Sequence, residues 1–258
     1  MSSASLPHAH VTRYAAPLRE GGSLPALVEI DGRETVVAKW RGAGQGAAAL
    51  VAEVIAGELA RSLGLPMPQL STLELDATIA KTERDEEIRD LLNASEGLNL
   101  GMQYLDGALA YDPAAGMPLD HGLAARIVVF DTYVMNVDRT PRNTNLLWWR
   151  DGLWLIDHGA ALYWHHGWDG AVERPTRPFP LVRDHVLLPS AGDIEAEGAA
   201  LMGDVTDEVI TAAVDAVPDA WLPDDTATRR AAYVSFLTQR RDGAAALVKE
   251  AADARASV

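Results

Sequence analysis

A short segment in the middle of the chain constrains the fold more than any other part of the sequence. Two apolar runs, Leu146–Trp149 and Leu153–Asp157, flank a tight turn and predict a β-hairpin. Antiparallel pairing places the start of the first strand beside the end of the second. Asn143 and Asp157 are therefore expected to meet at one end of the hairpin, and Asp138 lies on the loop just before them.

These three side chains have the chemistry of a metal-dependent phosphotransfer site. Carboxylate and amide oxygens are the ligands that Mg²⁺ prefers, and phosphoryl transfer depends on held phosphates, an oriented nucleophile and neutralised charge. The five-residue step from Asp138 to Asn143 matches the kinase catalytic loop, and Asp157-His158-Gly159 stands where a kinase has Asp-Phe-Gly. We predict Asp138 as the catalytic base, with Asn143 and Asp157 as metal ligands. Each piece alone also fits ordinary loop chemistry.

A second group of candidate residues lies upstream, on a predicted strand and helix. Ala26–Ile30 and Glu34–Trp40 have the pattern of a hairpin, and the second strand contains Val-Val-Ala-Lys, like the kinase strand whose lysine contacts the α and β phosphates. On the helix that follows, Glu53 can pair with Lys39, with Glu58 as the fallback. The alternative is structural: an edge-strand lysine and an exposed helical glutamate.

The remaining pattern predicts an α+β chain in two lobes. The other predicted elements are a helix at 47–63, strands at 70–75 and 98–105, a charged helix at 82–92, a buried helix at 121–135, and helices without strands from about 193 onward. The segment before Ala26 is expected to be mobile. A connection containing Gly, Asp and Pro, from Asp106 to Pro118, marks the lobe boundary. We therefore expect a sheet-based N-lobe at residues 1–105 and a mostly helical C-lobe at 106–258.

Two further segments are candidates for contact with a nucleotide. The first precedes the lysine strand, where backbone amides can lie over phosphates: Gly21, Gly22 and Ser23. The second fits the hinge of an adenine pocket by its order in the chain: Gln103, Tyr104 and Leu105. The glycine-rich run Arg41–Gly46 follows the lysine strand and is interpreted as a flexible link.

Composition and charge exclude several classes of function. The net charge of −15 disfavours a nucleic-acid partner, because phosphate backbones are held by clustered Lys and Arg. Ten acidic residues and no Lys or Arg fall between Ser190 and Thr228, which indicates a solvated helical surface; recognition of a basic substrate is the alternative. The lack of cysteine excludes disulfides and zinc-thiolate sites. With no bilayer-length apolar run, a cytoplasmic location without a membrane partner is expected.

Four segments together resemble one family. ETVVAKW, LVAEVIAGELARSLGLPMP, NVDRTPRNTNLLW and LWLIDHG are similar to the small HipA-like kinases, which are related more loosely to phosphoinositide kinases. The resemblance spans roughly residues 21–166. It implies a bilobal, atypical protein-kinase-like α+β fold that uses ATP and Mg²⁺, with an antiparallel-sheet N-lobe carrying one main helix. It also implies base and metal roles for Asp138, Asn143 and Asp157, and a phosphate contact for Lys39.

The catalytic loop departs from the family at one position. Related loops usually carry a His two residues after the Asp, where this chain has Thr140. Arg139 or Arg142 can supply charge near the phosphates instead. Three histidines after Asp157 match no metal-binding spacing and are interpreted as structural: His158, His165 and His166.

The leading hypothesis is an ATP-dependent kinase whose acceptor is a hydroxyl group, either a protein Ser or Thr or a small-molecule alcohol. A nucleotide-binding pseudokinase is the alternative that Thr140 favours. A metal-dependent phosphoesterase would use Asp138, Asn143 and Asp157 but not Lys39. Transfer of AMP instead of phosphate is a further alternative within the transferase class.

Overall fold

β-Strands are concentrated in the first part of the chain and helices in the remainder. The computed structural model describes residues 5–18, 24–44, 46–81, 83–168, 174–223 and 225–258. The strands are β1 (His8–Pro17), β2 (Ala26–Ile30), β3 (Thr35–Lys39), β4 (Leu70–Leu75), β5 (Gly97–Gln103), β6 (Leu109–Ala110), β7 (Leu146–Trp149) and β8 (Gly152–Leu155). The helices are α1 (Ala47–Ser62), α2 (Ala77–Lys81), α3 (Glu86–Ala94), α4 (His121–Val134), α5 (Ile194–Gly203), α6 (Asp207–Asp215), α7 (Thr226–Asp242) and α8 (Ala244–Arg255).

The first five strands close into a barrel in the order β1-β2-β3-β5-β4. Four pairings are antiparallel, but β1 and β4 are parallel, with His8 opposite Thr72 and His10 opposite Glu74. The expected antiparallel sheet is therefore wrong, because the sheet is mixed and closed on itself. The long connection from β1 to β4, which includes two other strands and α1, allows the parallel pairing.

The expected mobile start is wrong for His8–Pro17, which forms strand β1. Only Val11 of this strand is buried. A strand without a buried face does not need alternating apolar and polar residues, which is the pattern that predicts a strand from sequence. Its register with β2 also shifts between Val11 and Arg13 and between Tyr14 and Ala16. Backbone pairing with β2 and β4 on its two sides holds β1 in place.

Helix α1 is buried on nearly all sides. Its central residues, from Leu50 to Gly57, are all shielded from solvent. Helix α6 and the turn that contains Trp221 pack against it, and the Trp221 indole N–H donates a hydrogen bond to the Leu98 carbonyl of β5 at 3.0 Å. The sequence predicted one apolar stripe on this helix, whereas the surroundings cover the whole helix. Helix α1 is thus held by both the barrel and the C-terminal helices.

The charged segment predicted as one helix at 82–92 begins directly after the short helix α2 and contains most of helix α3. The Asp85 side chain accepts hydrogen bonds from the backbone N–H groups of Glu87 and Ile88, which makes it the N-cap of α3. The prediction therefore began too early, since α3 starts only at Glu86. Thr82 lies outside the described residues.

The central hairpin and the helix before it are confirmed. Strands β7 and β8 pair in the predicted antiparallel register, with Leu146 opposite Leu155. The turn residues Arg150 and Asp151 both have left-handed φ angles, 48° and 58°, which match the right-handed twist of a tight hairpin. Within the described ranges, no helix combines the length and apolar character needed to cross a bilayer.

Candidate active site

Lys39 joins two segments that are far apart in sequence. Its Nζ contacts Glu53 Oε1 on α1 and, at 2.8 Å, Asp157 Oδ1 just after β8. The fallback partner Glu58 lies 3.6 Å from Arg61 Nε instead. The structure thus brings the predicted lysine, its preferred glutamate and the predicted metal-binding aspartate into one ionic cluster.

Burial and mutual attraction set the ionisation of this cluster. Burial alone lowers the pKa of the Lys39 ammonium, but Glu53 and Asp157 reverse this effect and raise it. Lys39 also holds the pKa of the Asp157 carboxyl well below its usual range. Burial raises the pKa of the Glu53 carboxyl, opposed by Lys39 and reinforced by Asp157. The cluster therefore holds two acidic groups and one fixed positive charge.

The predicted base lies in a loop that is closed by its own hydrogen bonds. Asp138 Oδ2 accepts from Asn143 Nδ2 at 2.8 Å and from Asn145 Nδ2 at 3.4 Å. The Thr140 and Asn143 backbones exchange two hydrogen bonds, at 3.0 and 3.1 Å, and hold the turn between Asp138 and Asn143. Asn145 Nδ2 also lies 3.5 Å from the Asp157 carbonyl. The sequence analysis missed Asn145, although its place beside Asn143 at the start of β7 was a usable signal.

The side chains of the ionic cluster and of the Asp138 loop line one cavity of about 1300 Å³. Its polar lining includes Lys39, Glu53, Asp138, Asn143 and Asp157. An apolar part of the lining comes from both halves of the chain: Val37, Met102, Leu146, Leu147 and Ile156. The predicted hinge also lines it, at Gln103, Tyr104 and Leu105. Gly21, Gly22 and Ser23 lie outside the described residues.

The glycine-rich run after the lysine strand is more fixed than expected. Arg41 N–H donates to Asn99 Oδ1 at 3.0 Å, and Gly42 N–H donates to Ser95 Oγ at 3.1 Å. Gly44 and Gly46 line the cavity beside the start of α1. Hydrogen bonds therefore anchor the start of this run at Arg41 and Gly42, whereas its interpretation as a flexible link stays a prediction for Gly44 and Gly46.

Arg139 points away from the cavity. Its side chain is 1% exposed and contacts Asp131, an aspartate in the last turn of α4. The expectation that Arg139 places charge near phosphates is therefore wrong. Arg142 is exposed and lines the cavity, so it keeps that candidate role.

Asp131 is the centre of a buried polar network that the sequence analysis did not identify. Its carboxylate accepts from Asn136 Nδ2 at 3.0 Å and from His185 Nε2 at 2.9 Å, in addition to Arg139. Burial raises the pKa of this carboxyl, but Arg139 and His185 outweigh burial and hold it below its usual range. An aspartate inside an apolar helical stripe was the available signal, since buried charges are normally paired.

The histidine that follows Asp157 belongs to the same network. Arg139 Nη2 donates to His158 Nε2 at 2.9 Å, because a guanidinium carries only donors. Burial and Arg139 lower the pKa of His158 to about 3, so it is neutral. His165 contacts the Tyr233 hydroxyl at 3.0 Å. Its ring also packs against His166. Among the residues that the structure describes, no group of three or more His, Cys, Asp or Glu side chains is arranged to hold a metal ion.

Solved structures with similar folds are kinases. The Helicobacter pylori proinflammatory kinase CtkA matches with a TM-score of 0.60 and 12% identity, over 95% of this chain and 99% of that chain. A Golgi casein kinase, solved with Mn and ADP bound, matches with a TM-score of 0.51 and 10% identity, over 97% of this chain and 73% of that chain. A comparison with curated protein sequences found no match. The chain thus shares its fold with these kinases.

A comparison of the sequence with models of protein families identifies the family. Residues 13–241 match the family described as HipA-like kinase, which is most of the 258-residue chain. The chain belongs to the HipA-like kinase family, and the resemblance drawn from its motifs is confirmed.

Proposed function

We propose that this protein transfers the γ-phosphoryl group of ATP to a hydroxyl acceptor, a protein Ser or Thr or a small-molecule alcohol, with Mg²⁺ as the metal. The observation that carries the proposal is the contact of Lys39 with both Glu53 and Asp157. In kinases, a lysine in this position contacts phosphate oxygens of ATP. The two ion pairs of Lys39 also fix the position of α1 relative to the metal-binding hairpin. The lobe division at residues 105 and 106 is part of the proposal.

The residues present fit a divalent cation. Asp157 and Asn143 offer carboxylate and amide oxygens, the donors that Mg²⁺ prefers. Lys39 contacts both carboxylates, the buried one of Glu53 and the partly exposed one of Asp157, and the buried Glu53 Oε2 has no hydrogen-bond partner among the described residues. A bound cation would neutralise negative charge on Asp157 and on the phosphates. Asn143 and Asp157 would hold it.

Asp138 has the role of base in this proposal. Both amide hydrogen bonds end on its Oδ2, so Oδ1 is the oxygen that accepts the proton of the acceptor hydroxyl. The hydroxyl oxygen then forms a bond to the γ-phosphorus, while the bond from that phosphorus to the β–γ bridging oxygen breaks and ADP leaves. Asn143 and Asn145 orient the carboxylate, and Lys39 contacts the α and β phosphates.

The apolar part of the cavity is the proposed place of the adenine. Val37 and Met102 contribute side chains from the barrel, and Leu147 and Ile156 contribute them from the hairpin. Apolar walls with a few polar groups are typical of small-molecule sites. The adjacent segment Gln103–Leu105 supplies the hinge backbone, and Gly21, Gly22 and Ser23 are proposed to cover the phosphates.

Turnover of radiolabelled ATP tests this proposal with a matched pair of variants. Asp157 and Asp151 both have left-handed backbones, with φ of 56° and 58°, which asparagine tolerates. We expect Asp157→Asn to lose turnover by about 100-fold or more, and Asp151→Asn, on the exposed hairpin turn, to retain it. Full turnover in Asp157→Asn contradicts the proposal.

Two further readouts separate the alternatives. A Lys39→Met variant with full activity would favour a phosphoesterase, because that chemistry does not use the lysine. The mass of the modified product distinguishes transfer of phosphate from transfer of AMP. Binding of ATP with a thermal shift but without turnover or transfer would identify a pseudokinase.

A further inference from the structure

Arg139 links helix α4 to the segments on both sides of the β7–β8 hairpin. It follows Asp138 directly in sequence, yet its guanidinium lies in the interior. Nε binds Asp131 of α4, Nη1 binds the carbonyls of Asn145 and Ile156, and Nη2 binds His158. One side chain therefore links the catalytic loop to the residue before β7 and to the residue after β8.

The contacts of Arg139 flank Asp157 on both sides. The Ile156 carbonyl, 3.3 Å from Nη1, precedes Asp157, and His158 Nε2, 2.9 Å from Nη2, follows it. Asp157 has φ of 56° and Asn145 has φ of 48°, both in the left-handed region, which is uncommon for residues other than glycine. Asp and Asn adopt this region more readily than other non-glycine residues, and Arg139 contacts Asn145 itself and both neighbours of Asp157.

Arg139 is itself held in place by Asp131 and by the backbone of Val186. Asp131 keeps its orientation through hydrogen bonds from Asn136 and His185. The Arg139 carbonyl accepts from the backbone N–H of Val186 at 3.0 Å, so side chain and backbone are both fixed. The position of Arg139 is thus set independently of the residues around the hairpin that it contacts.

We infer that Arg139 is a positioning residue, which fixes the distance between Asp138 and Asp157 from inside the protein; the role rests on the proposed phosphotransfer. Asp138 is attached to it covalently, and Asp157 is clamped between its two contacts. Alignment of reacting groups is sensitive to displacement, and a shift of about 1 Å can cost about 100-fold in rate. Nucleotide binding depends on other groups, Lys39 and the apolar walls.

The substitution Arg139→Lys isolates this role. It keeps a positive charge for Asp131, but an ammonium on a flexible stem cannot reproduce the planar set of donors that reaches two carbonyls and an imidazole. We expect turnover of ATP to fall about 100-fold in this variant, with the Kd for ADP in the absence of a divalent metal changed less than about threefold. A loss confined to the rate constant is not what general destabilisation produces.

Arg240→Lys is the matched control. Arg240 is also buried, at 3% exposure, and also donates to backbone carbonyls, those of Thr132, Tyr133, Pro175 and Arg177. None of its hydrogen bonds reaches a residue that flanks Asp157. We expect Arg240→Lys to lower the unfolding temperature at least as much as Arg139→Lys, but to keep the turnover of wild type at a temperature where all proteins are folded.

A second variant keeps the test decisive if Arg139→Lys does not fold. His158→Phe keeps a ring of similar size and removes only the acceptor for Nη2, so turnover is expected to fall about tenfold with unchanged ADP affinity. Full turnover in His158→Phe or in folded Arg139→Lys, or equal losses in the two arginine variants, overturns the inference. An inactive wild-type protein would instead remove the proposed function, and this role with it.

Discussion

The backbone N–H of Gly159 donates a hydrogen bond of 3.0 Å to Glu53 Oε1, the oxygen that also contacts Lys39. The two residues are 106 positions apart. One carboxylate oxygen of Glu53 therefore holds strand β3, helix α1 and the segment after Asp157 in fixed positions relative to each other. The hydrogen bond and the ion pair share this oxygen, so the role of the glutamate combines charge and position.

Replacement of Glu53 separates those two contributions. Glu53→Gln keeps an oxygen acceptor for Gly159 but removes the charge that Lys39 pairs with. We expect kcat/KM for ATP to fall about 30- to 100-fold, equivalent to about 2 to 3 kcal/mol, because Lys39 then pairs with Asp157 alone. Steady-state kinetics measures this, with Glu58→Gln on the same helix as the control. Equal kinetics in Glu53→Gln and wild type would show that the ion pair has no part in ATP use.

Trp221 is predicted to stabilise the protein through the fixed position of α1. Trp221→Ala removes a side chain that is 4% exposed and the hydrogen bond from its indole to Leu98. We expect a loss of about 3 to 5 kcal/mol in the free energy of unfolding, measured by urea denaturation. Trp149 also donates its indole N–H to a carbonyl, that of Asp106, but is only partly buried. Trp149→Ala should therefore cost clearly less.

Two glycines of α5 are predicted to respond in opposite directions to the same change. A Cβ at Gly198 would lie 2.9 Å from Val129 Cγ2 and 3.1 Å from both Val248 methyls, whereas a Cβ at Gly203 would meet nothing within 4 Å. Gly198→Ala should destabilise by about 1 to 3 kcal/mol through overpacking. Gly203→Ala should be neutral or stabilise by up to about 1 kcal/mol. Denaturation of the two variants side by side checks both, and a stabilising Gly198→Ala would contradict the close packing of α4, α5 and α8.

Acid is predicted to destabilise the protein through buried neutral histidines. Burial lowers the pKa of His165 to about 3, whereas an unfolded chain gives histidine its ordinary pKa of about 6.5. The unfolded state therefore binds the proton first, so stability is full above about pH 6.5 and falls as the pH drops towards 3, by up to about 1.4 kcal/mol per pH unit for this residue.

The variant His165→Asn tests this assignment. Asparagine does not titrate and can still form a hydrogen bond with the Tyr233 hydroxyl. Because the variant lacks this histidine, its free energy of unfolding should depend less steeply on pH between about 6 and 4 than that of wild type. An unchanged slope in His165→Asn would contradict a buried neutral His165.

The sequence predicted those parts of the fold that depend on local pattern. The hairpin of β7 and β8, helices α1 and α4 and strand β4 follow from apolar periodicity and turn residues. Strand β1 could not be predicted in this way, because its order comes from backbone pairing with partners as distant as Thr72 and not from a buried face. For the same physical reason, the closure of the barrel was not visible in the sequence.

The candidate site shows the same division. The spacing of five residues in the sequence predicts one site: Lys39, Glu53, Asp138, Asn143 and Asp157. The buried network around Asp131 cannot be predicted in this way, because the hydrogen bond between Asp131 and His185 joins residues 54 positions apart that share no motif. Arg139 was misassigned because sequence does not reveal which way a loop side chain points.

A crystal structure with ADP and Mn²⁺ tests the common site of Lys39, Asp138, Asn143 and Asp157 most directly. Anomalous scattering locates manganese independently of the protein density. The account predicts a manganese peak bound by oxygens of Asn143 and Asp157, with the α or β phosphate near Lys39 Nζ. Nucleotide bound elsewhere, or manganese without contact to Asp157, would contradict it.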